Sequence, residues 1–344
     1  MTRRKVLVMG ASGFVGSTVT RQLVARGDEV RVLLRESSPT RGIDDLDVER
    51  HYGDIFDTAA VTAAMADREV VFYCVVDTRA WLRDPAPLVR TNVDGLRGVL
   101  DIAVRAQLTR FVFTSTIGTI ALSEDGSAVT EEQPHNWAHR GGAYIASRRA
   151  AEDMVLEYHR AQGLPAVALC VGHTYGPRDW QPTPHGSLVA MAALGKLPAY
   201  FRDISMMAVG IEDAARAHLL AAEHGRVGQR YIITESHMRT EDIYRIAAET
   251  TGVRPPRFGI PVPALVTLGY LSSAAAAVLR RDFPLNRTAV GLLRACSPLD
   301  HGKATRELRW HPSPTADAIR EAARFYRQRH EQRRRADPET TTTS

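Results

Sequence analysis

The run VLVMGASGFVGSTVTRQLVARG, residues 6–27, constrains this chain more than any other segment. Four apolar residues, Val6 to Met9, stop at Gly10. Glycines recur at 13 and 16, and a helical pattern then continues to Arg26. A strand that turns straight into a helix in this way opens a parallel βαβ unit. Glycine at the turn lets the backbone come up against a pyrophosphate, whose charge suits a helix N-terminus.

The pattern repeats through the first 170 residues. Strands are expected at Val6–Met9, Glu29–Leu34, Val48–Tyr52, Val70–Val75, Arg110–Thr114 and Ala166–Cys170, with helices at Gly13–Arg26, Thr58–Ala66, Asn92–Ala106 and Tyr144–Gln162. Nearly continuous apolar strands are what a parallel sheet covered on both faces requires. The fold expected is α/β: a Rossmann-type doubly wound parallel sheet with a smaller, mostly helical substrate lobe. Residues 1–171 form the nucleotide domain, joined by a return segment, 206–235, in which Ala208–Ile211, Asp213–His224 and Arg230–Thr234 rejoin the sheet. Residues 172–205 and 236–330 form the lobe, and 331–344 a disordered tail.

Phe258–Leu279 has 22 residues without a charge, long enough to span a membrane. Pro261, Pro263 and the weakly apolar centre SSAAAA favour a buried or substrate-lining helix, with peripheral membrane contact through 258–281 left open. The rest of the chain reads as a soluble protein, 44% hydrophobic and 24% charged. Cysteines at 74, 170 and 296 lack paired spacing, so neither a disulfide scaffold nor a zinc site is expected. His173 and His185 lack companions at metal spacing, and no metal is expected. Lysine stands only at 5, 196 and 303; many of the arginines lie in 320–335, a weak basis for a nucleic-acid partner, and none is expected. The apolar run at the N-terminus is too short for a signal-peptide core, so the expected location is cytoplasmic, as monomer or homodimer.

The GxxGxxG spacing resembles the short-chain dehydrogenase/reductase superfamily. Where that family's NAD enzymes place an acid on the adenosine ribose, the second strand ends in Arg35, followed by Glu36, Ser37 and Ser38. A guanidinium there suits a 2′-phosphate, so NADP(H) is expected over NAD(H). Asp54-Ile55 matches the family's adenine-side pattern. FVFTSTI (111–117) resembles its catalytic Ser/Thr segment, YIASR (144–148) its YxxxK motif with arginine in place of lysine, and VGHTYGPRD (171–179) the nicotinamide-flanking loop of the extended branch. With TNVDG (91–95) and VGIED (209–213), the match runs from about residue 4 to 330. The chain is identified as an extended (atypical) short-chain dehydrogenase/reductase of the NAD-dependent epimerase/dehydratase kind, most similar to dihydroflavonol-4-reductase-like and hopanoid-associated sugar epimerase-like proteins.

The resemblance implies cofactor contacts at Gly10, Ser12, Gly13, Phe14, Val15, Gly16, Arg35, Asp54, Ile55, Cys74, Val75, Val76, Asn92, Thr114, Tyr144, Arg148, Val171 and His173. It implies Tyr144 as proton donor and acceptor, its pKa drawn down from about 10 by a neighbouring cation together with the nicotinamide charge, with Thr116, or Ser115 if the register slips, bonding the substrate oxygen. Arg148 lies one helical turn from Tyr144 and keeps the charge, although it cannot relay a proton. The expected activity is hydride transfer between a ketone or aldehyde and an alcohol. The alternatives are a nucleotide-sugar epimerase or dehydratase, or a nucleotide binder impaired by Arg148. Trp81, Trp137, His139, His173 and Trp180 fall on loops where ligands bind in such sheets. The Ala/Leu-rich lobe, with few acids near the cleft candidates, favours an apolar or aromatic carbonyl compound over a nucleotide sugar, which would want several phosphate-binding basic residues.

Overall fold

The computed structural model describes residues 3–336. Seven strands form one parallel sheet: β1 (Lys5–Met9), β2 (Glu29–Leu34), β3 (Glu49–Tyr52), β4 (Val70–Tyr73), β5 (Arg110–Thr116), β6 (Ala166–Val171) and, after three short strands of the lobe, β10 (Arg230–Ile233). Their order is β3-β2-β1-β4-β5-β6-β10, with β1 paired to both β2 (Val6 opposite Val30) and β4 (Val6 opposite Val70). The order reverses between β1 and β4, the place where doubly wound sheets open a ligand crevice.

The alternation within each strand divides the core. Val6, Val8, Val32, Phe72, Val112 and Val167 face one layer, and Leu7, Met9, Leu33, Tyr73, Phe111 and Phe113 the other. The first layer is covered by α1 (Phe14–Arg26), α7 (Ile211–His224) and α11 (Gly302–Leu308). The second is covered by α2 (Thr58–Met65), α4 (Leu96–Arg105) and α5 (Gly142–Gln162). Helix α3 (Ala86–Val89) leads through a π-helical turn, Arg90–Gly95, into α4, so the single helix expected over 92–106 is a composite.

The second lobe packs α6 (Pro184–Ala193), α8 (Thr240–Thr250) and α12 (Thr315–Ala336) around Tyr175, Val189, Ile243, Tyr244 and Ile319. Two small sheets join it: β7 (His173–Tyr175), β9 (Ser205–Gly210) and β11 (Ser236–Arg239) in one, β8 (Ala199–Phe201) and β12 (Phe258–Ile260) in the other. Helices α9 (Val262–Leu279) and α10 (Arg287–Arg294) lie along its edge.

Three expectations are corrected. The segment around Ala208 does not rejoin the large sheet; it is the centre of the three-stranded one, with Ala208 opposite both His173 and Ser236. A side chain at Gly172 would sit 2.7 Å from the Met207 carbonyl oxygen, so the chain peels away from the large sheet there. The tail expected to be disordered from 331 instead continues α12 to Ala336, helped by an Arg327–Glu331 pair one turn apart at 2.7 Å; residues 337–344 lie outside the described residues. Helix α9 buries only Leu265, Gly269 and Ala276, so it lines the lobe without being a core helix.

His218 of α7 sits wholly buried beneath the sheet. Its Nδ1 faces the Ala214 carbonyl at 2.7 Å and its Nε2 the Thr114 hydroxyl at 2.9 Å. Burial pulls its pKa down to about 4, so the folded protein holds it neutral. Below the free value of about 6.5 the unfolded chain takes up the proton first, and stability is lost as pH falls toward 4. Between pH 7 and pH 5 the wild type should lose about 2 kcal/mol more than His218→Gln in urea titrations. Equal losses in the two proteins would show that His218 carries none of this dependence.

Candidate active site

The crevice between β1 and β4 is formed by backbone. Gly10 has φ +85°, and a Cβ there would lie 2.8 Å from the Cys74 carbonyl carbon. A Cβ at Gly16 would lie 2.2 Å from the Gly10 oxygen, so helix and strand meet closer than any side chain allows. Gly13 donates to the Gly10 carbonyl at 3.0 Å and starts α1 with no side-chain cap and no acid in the first turn. The amides of Phe14, Val15 and Gly16 have no intrahelical acceptor, which suits an anion next to Ser12.

At the adenosine end, Arg35 is exposed where β2 ends. Its amide donates to the Ser38 hydroxyl at 3.1 Å, and the Ser38 amide donates back to its carbonyl at 2.9 Å. Among the described residues no carboxylate pairs with the Arg35 guanidinium. Asp54 folds the turn after β3, accepting from the Phe56 amide at 3.1 Å, with Ile55 against the core.

The catalytic candidates meet where β5 ends and α5 begins. Tyr144 is half-buried. Burial raises its pKa, while the Arg148 charge and a hydrogen bond with Thr116 act the other way. For these protein groups alone, burial outweighs the cation. Arg148 is 1% exposed, donates from Nη2 to the Thr114 carbonyl at 2.5 Å and lies 5.1 Å above the Phe113 ring. Its Nε and Nη1 are buried without a partner. Donors of this kind need acceptors, and ribose hydroxyls at the crevice floor are chemically suited to them. The glycine turn and these two donors together fit a dinucleotide.

Ser115 takes another role. Its hydroxyl donates to Glu152 of α5, on the opposite side of the strand from Thr114 and its contact with His218. Glu152, 2% exposed, also accepts from Thr119 at 2.8 Å and pairs with Arg230 at 3.0 Å. Thr116, not Ser115, is the hydroxyl beside Tyr144. Asn92 is likewise occupied: it accepts from the Asp77 amide at 2.8 Å and donates to the Asp77 carbonyl at 3.0 Å and Ser147 at 3.1 Å. It fastens the loop after β4, which carries Val75 and Val76, to α5. The Cys74 sulfur lies 3.2 Å from the Thr114 hydroxyl, and burial pushes its thiol up to about 11. Val171 belongs to the core.

His173 faces the Met207 carbonyl through Nδ1 at 3.1 Å and meets His185 edge-on at 5.3 Å; burial holds both neutral. Trp137 is buried, with its indole donating to the Ile120 carbonyl. Trp180 lies between the guanidiniums of Arg41 and Arg329, at 4.1 and 5.4 Å. Both therefore pack rather than face a ligand. Trp81 is half-buried and accepts from Asn286 through its carbonyl; the side chain of His139 lies outside the described ones. No cluster of potential metal ligands occurs among the described residues.

Beside the start of α5, a cavity of about 610 Å³ opens between α9 and α10. Val266, Tyr270 and Val290 line it together with Arg140, Arg287 and Arg294, and Gly142, two residues before Tyr144, forms part of its wall. The three arginines come from separate segments, and they give this cavity the several basic residues that the expectation of an apolar substrate did not foresee.

Residues 6–234 match the model of a family described as NAD dependent epimerase/dehydratase. The chain is 29% identical over 329 residues to "Sterol demethylase protein B" of Methylococcus capsulatus, covering 94% of this chain and 98% of that protein. It is 28% identical over 323 residues to a "Putative dihydroflavonol 4-reductase" of Synechocystis sp., covering 93% of each. The crystal structure of gox2253 superposes with a TM-score of 0.84 at 30% identity, covering 95% of this chain and 99% of that one.

The Glu152 network gives a test that needs no substrate. The Glu152→Ala change leaves the Ser115 hydroxyl without its acceptor and removes the carboxylate from Arg230, which keeps the Glu131 carbonyl, while Thr119 keeps the Thr116 carbonyl. It should cost about 3–5 kcal/mol of stability by urea denaturation. A loss under about 1 kcal/mol would mean that water replaces the carboxylate.

Proposed function

The chain belongs to the NAD dependent epimerase/dehydratase family, and on that premise we propose that it is an NADP(H)-dependent oxidoreductase interconverting a ketone or aldehyde with an alcohol. The observation that carries this reading is the hydrogen bond between Tyr144 and Thr116, with the Arg148 charge acting on the same phenol. The nicotinamide of the bound dinucleotide supplies the hydride. Tyr144 passes its phenolic proton to the substrate oxygen as that oxygen gains charge, and Thr116 donates a hydrogen bond to the same atom. A phenol kept protonated by burial suits the reductive direction. Arg148 offers Nε and Nη1 to the ribose, and its charge steadies the phenolate left behind.

An apolar, ring-containing carbonyl substrate is supported by the names of the two relatives and by Val266, Tyr270 and Val290 in the cavity. The three free thiols suit the reducing cytoplasm. A second reading, epimerase or dehydratase on a nucleotide sugar, is favoured by Arg140, Arg287 and Arg294, which would suit a diphosphate. Steady-state NADPH oxidation with a carbonyl panel separates the two, since the second consumes no reduced nucleotide.

Tyr144→Phe should lower turnover by about 10²–10⁴-fold with NADPH affinity unchanged. Arg148→Ala should weaken both, moving the Tyr144 limb of the pH–rate profile upward, and Arg148→Lys should retain activity. Wild-type turnover matched by Tyr144→Phe would refute the assignment. An inert wild type revived by Arg148→Lys would make the natural chain a nucleotide binder.

Cofactor choice is tested separately. Arg35→Asp should weaken NADPH about ten- to a hundredfold relative to NADH, from loss of about 1.5–3 kcal/mol of charge-assisted phosphate contact. Equal affinities for the two nucleotides in the wild type would rule out the preference.

A further inference from the structure

Helix α9 has a mean hydropathy of 1.7 over 18 residues without a charge, yet only 17% of it is buried. Among the described residues, half of the exposed large hydrophobic side chains lie within 258–279: Phe258, Leu268, Tyr270, Leu271, Val278 and Leu279, with Val278 82% exposed. An apolar patch of this density is rare on a soluble surface that meets only water. Its rim is basic. Between 252 and 298 stand six arginines, at 254, 257, 280, 281, 287 and 294, against the single acid Asp282. That excess of five equals the excess of the whole chain, so the remainder is balanced. Arg287 also lies 5.4 Å over the exposed Tyr270 ring, an aromatic–cation pair of the kind that sits at headgroup level.

We propose that α9 is a monotopic membrane anchor that lays its exposed face into the headgroup boundary of an anionic bilayer, with the flanking arginines on the lipid phosphates. One side of the helix is held to the protein by Leu265, Gly269 and Ala276, which rules out spanning and leaves it lying in the interface. A second copy of the chain is disfavoured as the occupant, because pairing two such faces would bring two sets of excess arginines together. Residues 337–344, DPETTTTS, offer no large apolar side chain to cover it. Val266 and Tyr270 of the same helix line the cavity beside Tyr144, so the docked protein would draw its substrate from the lipid phase. This last point rests on the proposed reductase reading; the docking does not.

Co-sedimentation of the full chain with phosphatidylcholine/phosphatidylglycerol vesicles tests the docking without any turnover. The wild type should pellet with the anionic vesicles, at least tenfold less with pure phosphatidylcholine, and progressively less as salt rises. Leu271→Asp/Val278→Asp should lower binding at least tenfold. Arg257→Glu/Arg281→Glu should remove the preference for anionic lipid. All four positions are exposed, and unchanged NADPH binding and melting temperature would confirm that the variants fold. Wild type left in the supernatant with both vesicle types would overturn the proposal, as would a Leu271→Asp/Val278→Asp variant that pellets like wild type. Sedimentation velocity adds one more refuting outcome: a wild-type dimer that this variant makes monomeric, with no vesicle binding, would assign the face to a second copy.

Discussion

Three backbone segments meet at the switch point of the sheet: the end of β1 at Gly10, the start of α1 at Gly16 and the end of β4 at Cys74. The separations allow no Cβ at either glycine, so the close approach depends on composition rather than on neighbouring packing. It sets where α1 begins, and hence where its free amides point. It also sets the height of the β4 loop that Asn92 ties to α5. The crevice and the direction of the helix dipole follow from that one contact.

Helix α5 makes the second contribution. Tyr144, Arg148 and Glu152 recur every four residues and run down one stripe toward the sheet. The stripe carries a cation at the crevice floor and an anion a turn deeper, each facing a different strand-end partner: Thr114 for Arg148, Ser115 for Glu152. Arg230 closes the lower pair from β10. Burying such groups is costly unless every donor and acceptor is met, and the guanidinium of Arg148 is the exception. An unmet donor beside a nucleotide crevice is better understood as a site awaiting an acceptor than as a packing fault.

The large sheet was legible because each strand is apolar on both faces and each glycine turn sits between a strand and a helix; β2 matches its expected limits at both ends. Tyr144, Thr116 and Arg148 stood out only through the resemblance of their segments to family motifs. What linear order hid was long-range. Glu152 and Arg230 are 78 positions apart, and neither stands out in a helix or strand pattern. Arg140, Arg287 and Arg294 belong to separate segments, so their convergence was hidden. Apolar length in α9 signalled burial, because periodicity cannot say whether anything lies opposite. The Ala208 segment had strand composition, which does not say that its partners are His173 and Ser236 rather than the large sheet.

The second lobe is not a bead on a linker. The chain leaves the large sheet at Gly172, returns at Ile211, leaves at Ser236, returns at Gly302 and leaves again at Thr315. No one cut separates the two halves, and no stretch of either could be excised and expected to fold alone. Loss of the lobe would pull α7, α11 and β10 from the sheet, so heat or denaturant should disassemble the two cores as a single cooperative unit.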